Sequence, residues 1–206
     1  MVMKMKTYSL PQTLNLGEKV YAIRTDWRAI YDICEALQDN LSEEEKLYVL
    51  LTVLFKDPNS ISDSMLETAI QRSLWFISGG DFNNSKTDNY KLIDWEQDFP
   101  LIIAAINRVA GCELRSVPYL HWWTFLSYFQ EIGDCLFSRV TAIRAKRAKH
   151  TKLDKSEQEF LKVNRHLIIF KNKLKSNNSL KPSALLQSII DGIGNKEGEI
   201  EHGNSK

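Results

Sequence analysis

The sequence predicts a mainly α fold, with about six helices in one compact helical domain, a short N-terminal β-hairpin and a flexible C-terminal tail. Apolar residues recur at intervals of three and four over most of residues 25–170, which is the spacing of one face of an α-helix. Several of these stretches begin with residues that cap helices. With 206 residues, 43% of them hydrophobic, the chain can bury one core. We expect the hairpin and helices over residues 1–175 and the tail over 176–206.

The first predicted elements are a hairpin and a helix. In residues 13–24, apolar and polar residues alternate on both sides of Gly17, as in two short strands joined by a turn. Thr25 or Asp26 can then cap a first helix that continues to Leu41.

A capping pattern marks the start of each of the next two helices. Ser42, with a glutamate three positions later, predicts a second helix that stops near Pro58. Ser64, with the same pattern, predicts a third helix that ends at Gly79 and the glycine after it. Residues 79–91 are polar and turn-forming, so we expect a surface loop there and the most mobile internal segment.

Two helices follow the loop. The fourth helix starts at Asp94 or at Asp98, which the sequence leaves open, and it ends at Gly111. The fifth and longest helix opens at Pro118 and carries an apolar stripe through Ile143.

The last helix and the tail complete the chain. Asp154, with a glutamate three positions later, predicts a helix that fades near Lys173. From Ser176 onward, polar residues surround one apolar island, residues 184–190. We expect a flexible tail with at most a loose helical turn in that island.

The charges balance, with 27 Lys and Arg against 26 Asp and Glu, so nothing draws the whole chain to nucleic acid or to a membrane surface. The N-terminus lacks the apolar stretch of a signal peptide. The longest apolar run, residues 47–55, is about half the length that a bilayer requires. Three cysteines without CxxC spacing indicate a reducing compartment and buried thiols. We expect a soluble, intracellular protein.

The densest aromatic segment runs from Tyr119 to Phe125 and reads Tyr-Leu-His-Trp-Trp-Thr-Phe. One helix face cannot bury all of these rings, so two interpretations stay open: packing in the core, or a surface for a partner. Trp123 is in phase with the buried stripe. We expect Tyr119 and Trp122 to pack under the hairpin or to face a partner.

No catalytic, cofactor or metal site is predicted. The sequence contains no motif that cradles phosphate, binds zinc through HExxH or forms a nucleophile elbow. His121 lacks further ligands or an orienting carboxylate on neighbouring turns. Glu131 and Asp134 are expected to be solvated. Since an enzyme would need a pocket that gathers such residues, we expect a protein that is not an enzyme and has no cofactor.

A basic run without an intervening acid follows the apolar stripe. Its members are Arg139, Arg144, Lys146, Arg147, Lys149 and Lys152. Three interpretations stay open: a solvated helix end, which the macrodipole favours, an acidic protein partner, or RNA or DNA held through phosphates. The run lacks interleaved aromatic residues for base stacking. A nucleic-acid-binding module using residues 139–152 is therefore the alternative.

Three parts of the sequence together resemble a known family. They are residues 92–111, the Tyr-Leu-His-Trp-Trp-Thr-Phe segment, and residues 137–149 with their basic end. In these parts the chain resembles the tail assembly chaperones of long-tailed phages and prophages of Gram-positive bacteria. Such proteins are typically encoded between the major tail protein and the tape measure protein. The resemblance runs from about Leu10 to Leu167.

The resemblance implies a non-catalytic protein that coats the long, hydrophobic tape measure protein before the tail tube polymerises, and then leaves as tube subunits replace it. It implies action in the host bacterial cytoplasm, absence from the mature virion, and self-association, with the major tail protein as a further candidate partner. Nucleic acid and membrane are not expected partners. The tail has no second core, which points to the short form among relatives made in short and frameshift-extended forms.

The candidate partner-binding residues are chosen from their chemistry and expected exposure. They are Tyr119, His121, Trp122, Phe125, Arg144, Lys146 and Arg147. If the expectation is right, the aromatic members form an apolar contact for the tape measure protein.

Overall fold

A computed structural model of the protein describes residues 9–80 and 90–171. Within them the chain forms eight α-helices and one two-stranded antiparallel sheet. This confirms the predicted mainly α class with an N-terminal hairpin. The elements are β1 (Thr13–Leu16), β2 (Lys19–Ala22), α1 (Trp27–Gln38), α2 (Glu43–Leu54), α3 (Leu66–Ile77), α4 (Trp95–Ala110), α5 (Trp122–Gln130), α6 (Leu136–Ala148), α7 (Lys155–Val163) and α8 (Arg165–Ile168).

The hairpin covers one side of the helices. Leu14 and Leu16 of β1 are buried and pair with Tyr21 and Lys19 of β2. The turn between the strands contains Gly17, whose φ of 62° is left-handed and therefore suits glycine. The outward residues of the strands are exposed, as the alternation of a two-sided ribbon requires.

The main core is built around α1, which packs against α2, α4 and α5. Its inward face, which includes Ile30, Ile33 and Leu37, is buried. Tyr31 lies within this core and its hydroxyl donates to the Trp95 carbonyl at 2.7 Å. Burial, the largest cause, raises the pKa of the Tyr31 phenol, so the group stays a neutral donor.

A second, smaller apolar cluster joins the C-terminal helices to the rest. Val140 and Ile143 of α6 are buried against Ile168 of α8, with side chains of α7 and of the α6–α7 connection packed around them. Through α6, which also contacts α4, this cluster attaches the last helices to the main core.

The predicted long fifth helix is wrong, because the chain breaks between Gln130 and Leu136 into α5 and α6. Gly133 in the break has a φ of 54°, which a continuing α-helix does not allow. Cys135 then caps α6, since its Sγ accepts from the backbone N–H of Ser138. The apolar spacing continues across the break because α5 buries one face in the main core and α6 buries one face against the main core and the second cluster.

Other boundaries differ by a few residues. The first helix ends at Gln38 rather than Leu41, and the second at Leu54 rather than near Pro58. The third helix begins at Leu66 after a 3-10 turn, and Ser64 does not cap it. The fourth starts after Asp94, whose side chain accepts from the N–H of the third helical residue, so the first of its two predicted starts is right.

The C-terminal predictions are settled only in part. The last predicted helix is divided at Asn164, and the described chain beyond Ile168 is not helical. Residues 81–89 of the predicted loop and the predicted tail, 176–206, lie outside the described residues. Of the three cysteines, Cys34 is buried as expected, whereas Cys112 is exposed, so the expectation of buried thiols is wrong there.

Candidate interaction surface

The aromatic segment at the start of α5 lies mostly inside the protein. Trp122 is fully buried and its Nε1 donates to the Ile77 carbonyl at 2.7 Å. Its ring stacks on that of Phe125, with centroids 5.0 Å apart, and Phe125 stacks in turn on Trp27 at 5.3 Å. The core interpretation is therefore correct for Trp122 and Phe125, and the expected exposure of Trp122 is wrong.

The backbone before α5 explains this burial. The Trp27 N–H donates to the Leu120 carbonyl at 2.9 Å, and the Trp122 N–H donates to the Thr25 carbonyl at 2.8 Å. These two bonds tie the segment before α5 to the segment before α1. Since the helix begins at Trp122 and not at Pro118, this pairing places the ring of Trp122 inside the core, where it contacts Phe125 and the Ile77 carbonyl.

His121 is a buried N-cap. Its Nδ1 accepts from the Trp123 backbone N–H at 3.0 Å, so the proton of the neutral ring is on Nε2, which donates to the Pro11 carbonyl at 2.9 Å. Burial lowers the pKa of His121, and the bond to Pro11 opposes part of that effect. Both ring nitrogens thus serve the fold, and neither is available to a partner.

Tyr119 and Trp123 are the two aromatic residues of the segment that reach the surface. Tyr119 is 50% exposed, and its hydroxyl lies 2.7 Å from Thr25 Oγ1. Trp123 is only partly buried, although the sequence places it in the buried stripe. It lines a shallow groove of about 370 Å³ with Leu10, Thr124, Leu126 and other residues, several of them polar.

Arg144, a member of the basic run, is buried in an ion pair with Asp98 of α4. The two side chains are 3% and 1% exposed, and two nitrogens of the guanidinium meet the two carboxylate oxygens at 2.5 and 2.9 Å. Arg144 also donates to the carbonyls of Leu92, Leu167 and Ile168. The expected exposure of Arg144 is therefore wrong, because the residue joins α4, α6 and α8.

Other members of the basic run also have partners within the chain. Lys146 Nζ lies 2.6 Å from Glu157 Oε1, and this bond lowers the pKa of Glu157. The guanidinium of Arg139 lies over the Phe160 ring, 4.2 Å from its centroid. The exposed members of the run are Arg139, Arg147, Lys149 and Lys152, whereas Arg144 is buried. The buried Arg144 therefore interrupts the run.

An apolar surface that sequence analysis missed lies on α2. Leu41, Glu44, Glu45, Tyr48 and Val49 line a shallow depression of about 500 Å³, which we call the Tyr48 surface. Tyr48 is 70% exposed, and the other lining residues are two aliphatic side chains, Leu41 and Val49, and two glutamates. Exposed aromatic residues with adjacent aliphatic ones are typical of contact sites for proteins.

The exposure of Tyr48 follows from the composition of α2. Residues 47–51 are all apolar, and five successive residues cover a whole turn of an α-helix. Leu50 and Leu54 occupy the buried face, so the residues on the opposite face cannot also be inside. This continuous run was the signal in the sequence, since an amphipathic helix would carry polar residues at those positions.

Both ends of α2 are fixed, so the Tyr48 surface is held on a rigid element. At the N-terminus, Ser42 and Glu45 form a reciprocal capping box. At the C-terminus, Nη1 of Arg24 lies 2.7 to 3.0 Å from the carbonyl oxygens of Thr52, Val53 and Phe55. These bonds satisfy carbonyls that a helix end leaves without partners.

Residues 9–80 and 90–171 show neither a cluster of metal ligands nor a membrane-spanning helix. These residues contain no group of three His, Cys, Asp or Glu side chains arranged to hold a metal ion. No helix among them is both long and apolar enough to cross a membrane.

Comparison with protein families gives a match over most of the chain. Residues 7–168 match the model of a family described as Bacteriophage Gp15 protein. No curated protein and no solved structure matches the chain. The matched residues include every helix described above and the whole Tyr48 surface.

Proposed function

The chain belongs to the Bacteriophage Gp15 protein family, and from this premise we propose that it is a phage tail assembly chaperone. In this proposal the protein binds the hydrophobic tape measure protein and keeps it soluble while the tail tube assembles. It acts without catalysis in the host bacterial cytoplasm and leaves before the virion is complete. The resemblance of the aromatic segment and its flanks to tail assembly chaperones supports the same role.

The observation that carries this proposal is the Tyr48 surface. The tape measure protein that the resemblance implies is long and hydrophobic, so in this proposal its apolar segments need a complementary apolar face before the tube encloses them. A capped helix that exposes Tyr48 beside Leu41 and Val49 offers such a face for a helix with apolar residues at i, i+3 and i+4. Because α2 is already rigid, binding costs little ordering of the chaperone.

If many copies bind along one partner, their combined binding is stronger than that of any single weak contact. Each Tyr48 surface is small, and a contact of this size alone is expected to be transient. Copies that lie side by side on the tape measure protein, with self-association between them, would convert weak contacts into a stable coat. Tube subunits of the major tail protein could then displace the copies one at a time.

The alternative of nucleic-acid binding receives no support from the described residues. Arg139, Arg144 and Lys146 of the basic run contact Phe160, Asp98 and Glu157. A phosphate-binding patch needs cations that face solvent together. We therefore propose no second function.

The experiment that tests the proposal is co-expression with the tape measure protein, or a long hydrophobic fragment of it, followed by affinity purification and sizing. The wild-type chain is expected to keep the fragment soluble and to co-elute with it. The double variant Tyr48→Ser/Val49→Ser should fold but leave the fragment insoluble.

The matched control removes two exposed apolar residues elsewhere. Val20 of β2 and Val163 of α7 are 64% and 76% exposed, and Val20→Ser/Val163→Ser should keep the fragment soluble. If the wild-type chain fails to solubilise the fragment, or nucleic acid co-elutes in its place, the chaperone proposal is wrong. If both double variants behave like wild type, the Tyr48 surface is not the contact.

A further inference from the structure

We propose that the Tyr48 surface is covered in the free protein by the chain's own segment 183–190. This segment reads Ser-Ala-Leu-Leu-Gln-Ser-Ile-Ile and lies outside the described residues. The docking itself depends only on the surface and the segment. Its consequence for the tape measure protein rests on the proposed function.

The sequence of the segment fits an apolar face. Leu185, Leu186, Ile189 and Ile190 are spaced at i, i+1, i+4 and i+5, which places them on one side if the segment becomes helical on docking. Pro182 precedes the segment, as is common at a helix start. A short helix with aliphatic residues on one side is the kind of ligand that an exposed apolar helix face binds.

Hydrogen bonds connect the last described residue to elements close to the Tyr48 surface. The backbone N–H of Lys171 donates to Gln97 Oε1 at 2.9 Å, and Gln97 lies in the first turn of α4. In the same turn, the Trp95 N–H donates to Gln38 Oε1 at 3.0 Å. Gln38 is the last residue of α1 and precedes Leu41, which lines the Tyr48 surface, by only three positions.

The length of chain between the two points is sufficient. Leu185 lies fourteen positions after Lys171, and this length of chain spans up to about 46 Å when extended. The hydrogen bonds from Lys171 to Gln97 and from Trp95 to Gln38 form a path of neighbouring contacts toward Leu41, and a linker of this length can follow it. Because the segment is tethered, its effective concentration at the surface is on the order of millimolar, so even a small contact is populated.

Charge favours this segment over a second copy of the surface. Lys173, Lys175 and Lys181 lie between the described chain and the segment, and Glu44 and Glu45 lie at the edge of the Tyr48 surface. The attraction between exposed charges is modest and mainly orients the contact. Two Tyr48 surfaces face to face would instead bring the same carboxylates together, which is unfavourable.

Docking of the segment would protect the apolar surface until a partner arrives. A tape measure helix must displace the segment to bind, so removal of the segment's apolar residues should strengthen partner binding. This last statement is the part that rests on the proposed function.

Cross-linking in the full-length chain tests the docking. The photoreactive substitution Tyr48→p-benzoylphenylalanine is made in unlabelled protein, which is mixed with an equal amount of ¹⁵N-labelled protein before irradiation. Mass spectrometry of the peptides then separates cross-links within one chain from those between chains. We expect the main product to join position 48 to residues 183–190 of the same chain.

Matched variants in the tail make the test specific. Leu186→Ser/Ile190→Ser should abolish the cross-link, whereas Ile193→Ser/Ile200→Ser, which changes apolar residues beyond the segment, should preserve it. Cross-links that join two chains, or that reach other residues and not the segment, would overturn the docking.

A separate assay of binding to the tape measure fragment distinguishes failure of the docking from failure of the proposed function. An intramolecular cross-link in a chain that does not bind the fragment supports the docking and contradicts the proposed function. Binding of the fragment to a chain that gives no cross-link into 183–190 contradicts the docking and leaves the proposed function standing.

Discussion

At the scale of single residues, two side chains that the sequence marks as candidate binding residues stabilise the fold instead. Arg144 and His121 are both buried and have partners far away in sequence, Asp98 and Pro11. The local sequence pattern cannot reveal such partners, because the residues within a few positions of Arg144 or His121 do not indicate which distant residue will contact it. From the sequence alone, both residues are therefore expected at the surface, where they could contact a partner.

The buried pair between Arg144 and Asp98 gives the first prediction. Arg144→Met leaves the Asp98 carboxylate buried without its cation, and this should lower the free energy of unfolding by about 3 to 5 kcal/mol. Arg147→Met, an exposed cation on the same helix, should change it by less than about 0.5 kcal/mol. Urea unfolding followed by circular dichroism measures both. Equal effects of the two variants would contradict the pairing.

His121 gives a prediction about pH. The pKa of His121 in the folded protein lies below its ordinary value of 6.5 because of burial. The unfolded chain therefore binds the proton more readily, and the contribution of this residue to stability is complete above pH 6.5 and is lost as the pH falls through and below that value. In the neutral ring, Nδ1 accepts a hydrogen bond from the Trp123 N–H. Protonation of Nδ1 would break this bond, because two N–H groups would then face each other.

The variant His121→Asn isolates this effect. Asparagine can still cap α5, but it is too short to reach Pro11, so stability at neutral pH should fall by about 1 kcal/mol. The decline between about pH 7.5 and 5.5 should be smaller in the variant than in the wild-type chain. Denaturant midpoints at both pH values test this, and a variant with the same pH dependence as wild type would contradict the neutral buried histidine.

At the scale of elements, four helix starts could be predicted from capping residues, whereas the starts expected at Ser64 and Pro118 were wrong. Asp26, Ser42, Asp94 and Asp154 each cap the helix expected after them, because a capping bond is local and needs only a few residues. The break between α5 and α6 was missed, since it depends on the backbone at Gly133 and on burial of the two helices against two apolar clusters.

Gly133 gives the prediction at this scale. Its φ of 54° is left-handed, and a Cβ there would meet no atom within 4 Å, so only backbone strain opposes a side chain. Gly133→Ala should lower the free energy of unfolding by about 1 to 2 kcal/mol. Gly133→Asn should cost less, because asparagine tolerates this conformation. Thermal or urea unfolding ranks the two, and a neutral effect of alanine would mean that the break adopts another conformation.

At the scale of the whole molecule, the fold class followed from periodicity and composition, but the Tyr48 surface did not. The aromatic segment is a candidate contact in the sequence because it is rich in rings, yet many rings indicate a core as readily as a surface. The Tyr48 surface was marked by the apolar run of residues 47–51. That run was used only to place α2 and to exclude a membrane span.

The balanced charge of the molecule leads to a prediction about salt. The net charge is +1, and the proposed contact is apolar with two carboxylates at its edge. Affinity for a tape measure fragment should therefore change little between about 50 and 200 mM salt, whereas a contact with several phosphates would weaken by orders of magnitude over this range. Fluorescence titration at the two salt concentrations distinguishes them.

The most direct test of the account is the affinity of Tyr48→Ser for a tape measure fragment, measured by titration beside Val20→Ser and the wild-type chain. Removal of an aromatic contact at the centre of an interface should weaken binding about tenfold or more, which is about 1.4 kcal/mol. Val20→Ser should bind as wild type does. If Tyr48→Ser binds as tightly as the control, the Tyr48 surface does not contact the tape measure protein and the account of this surface is wrong.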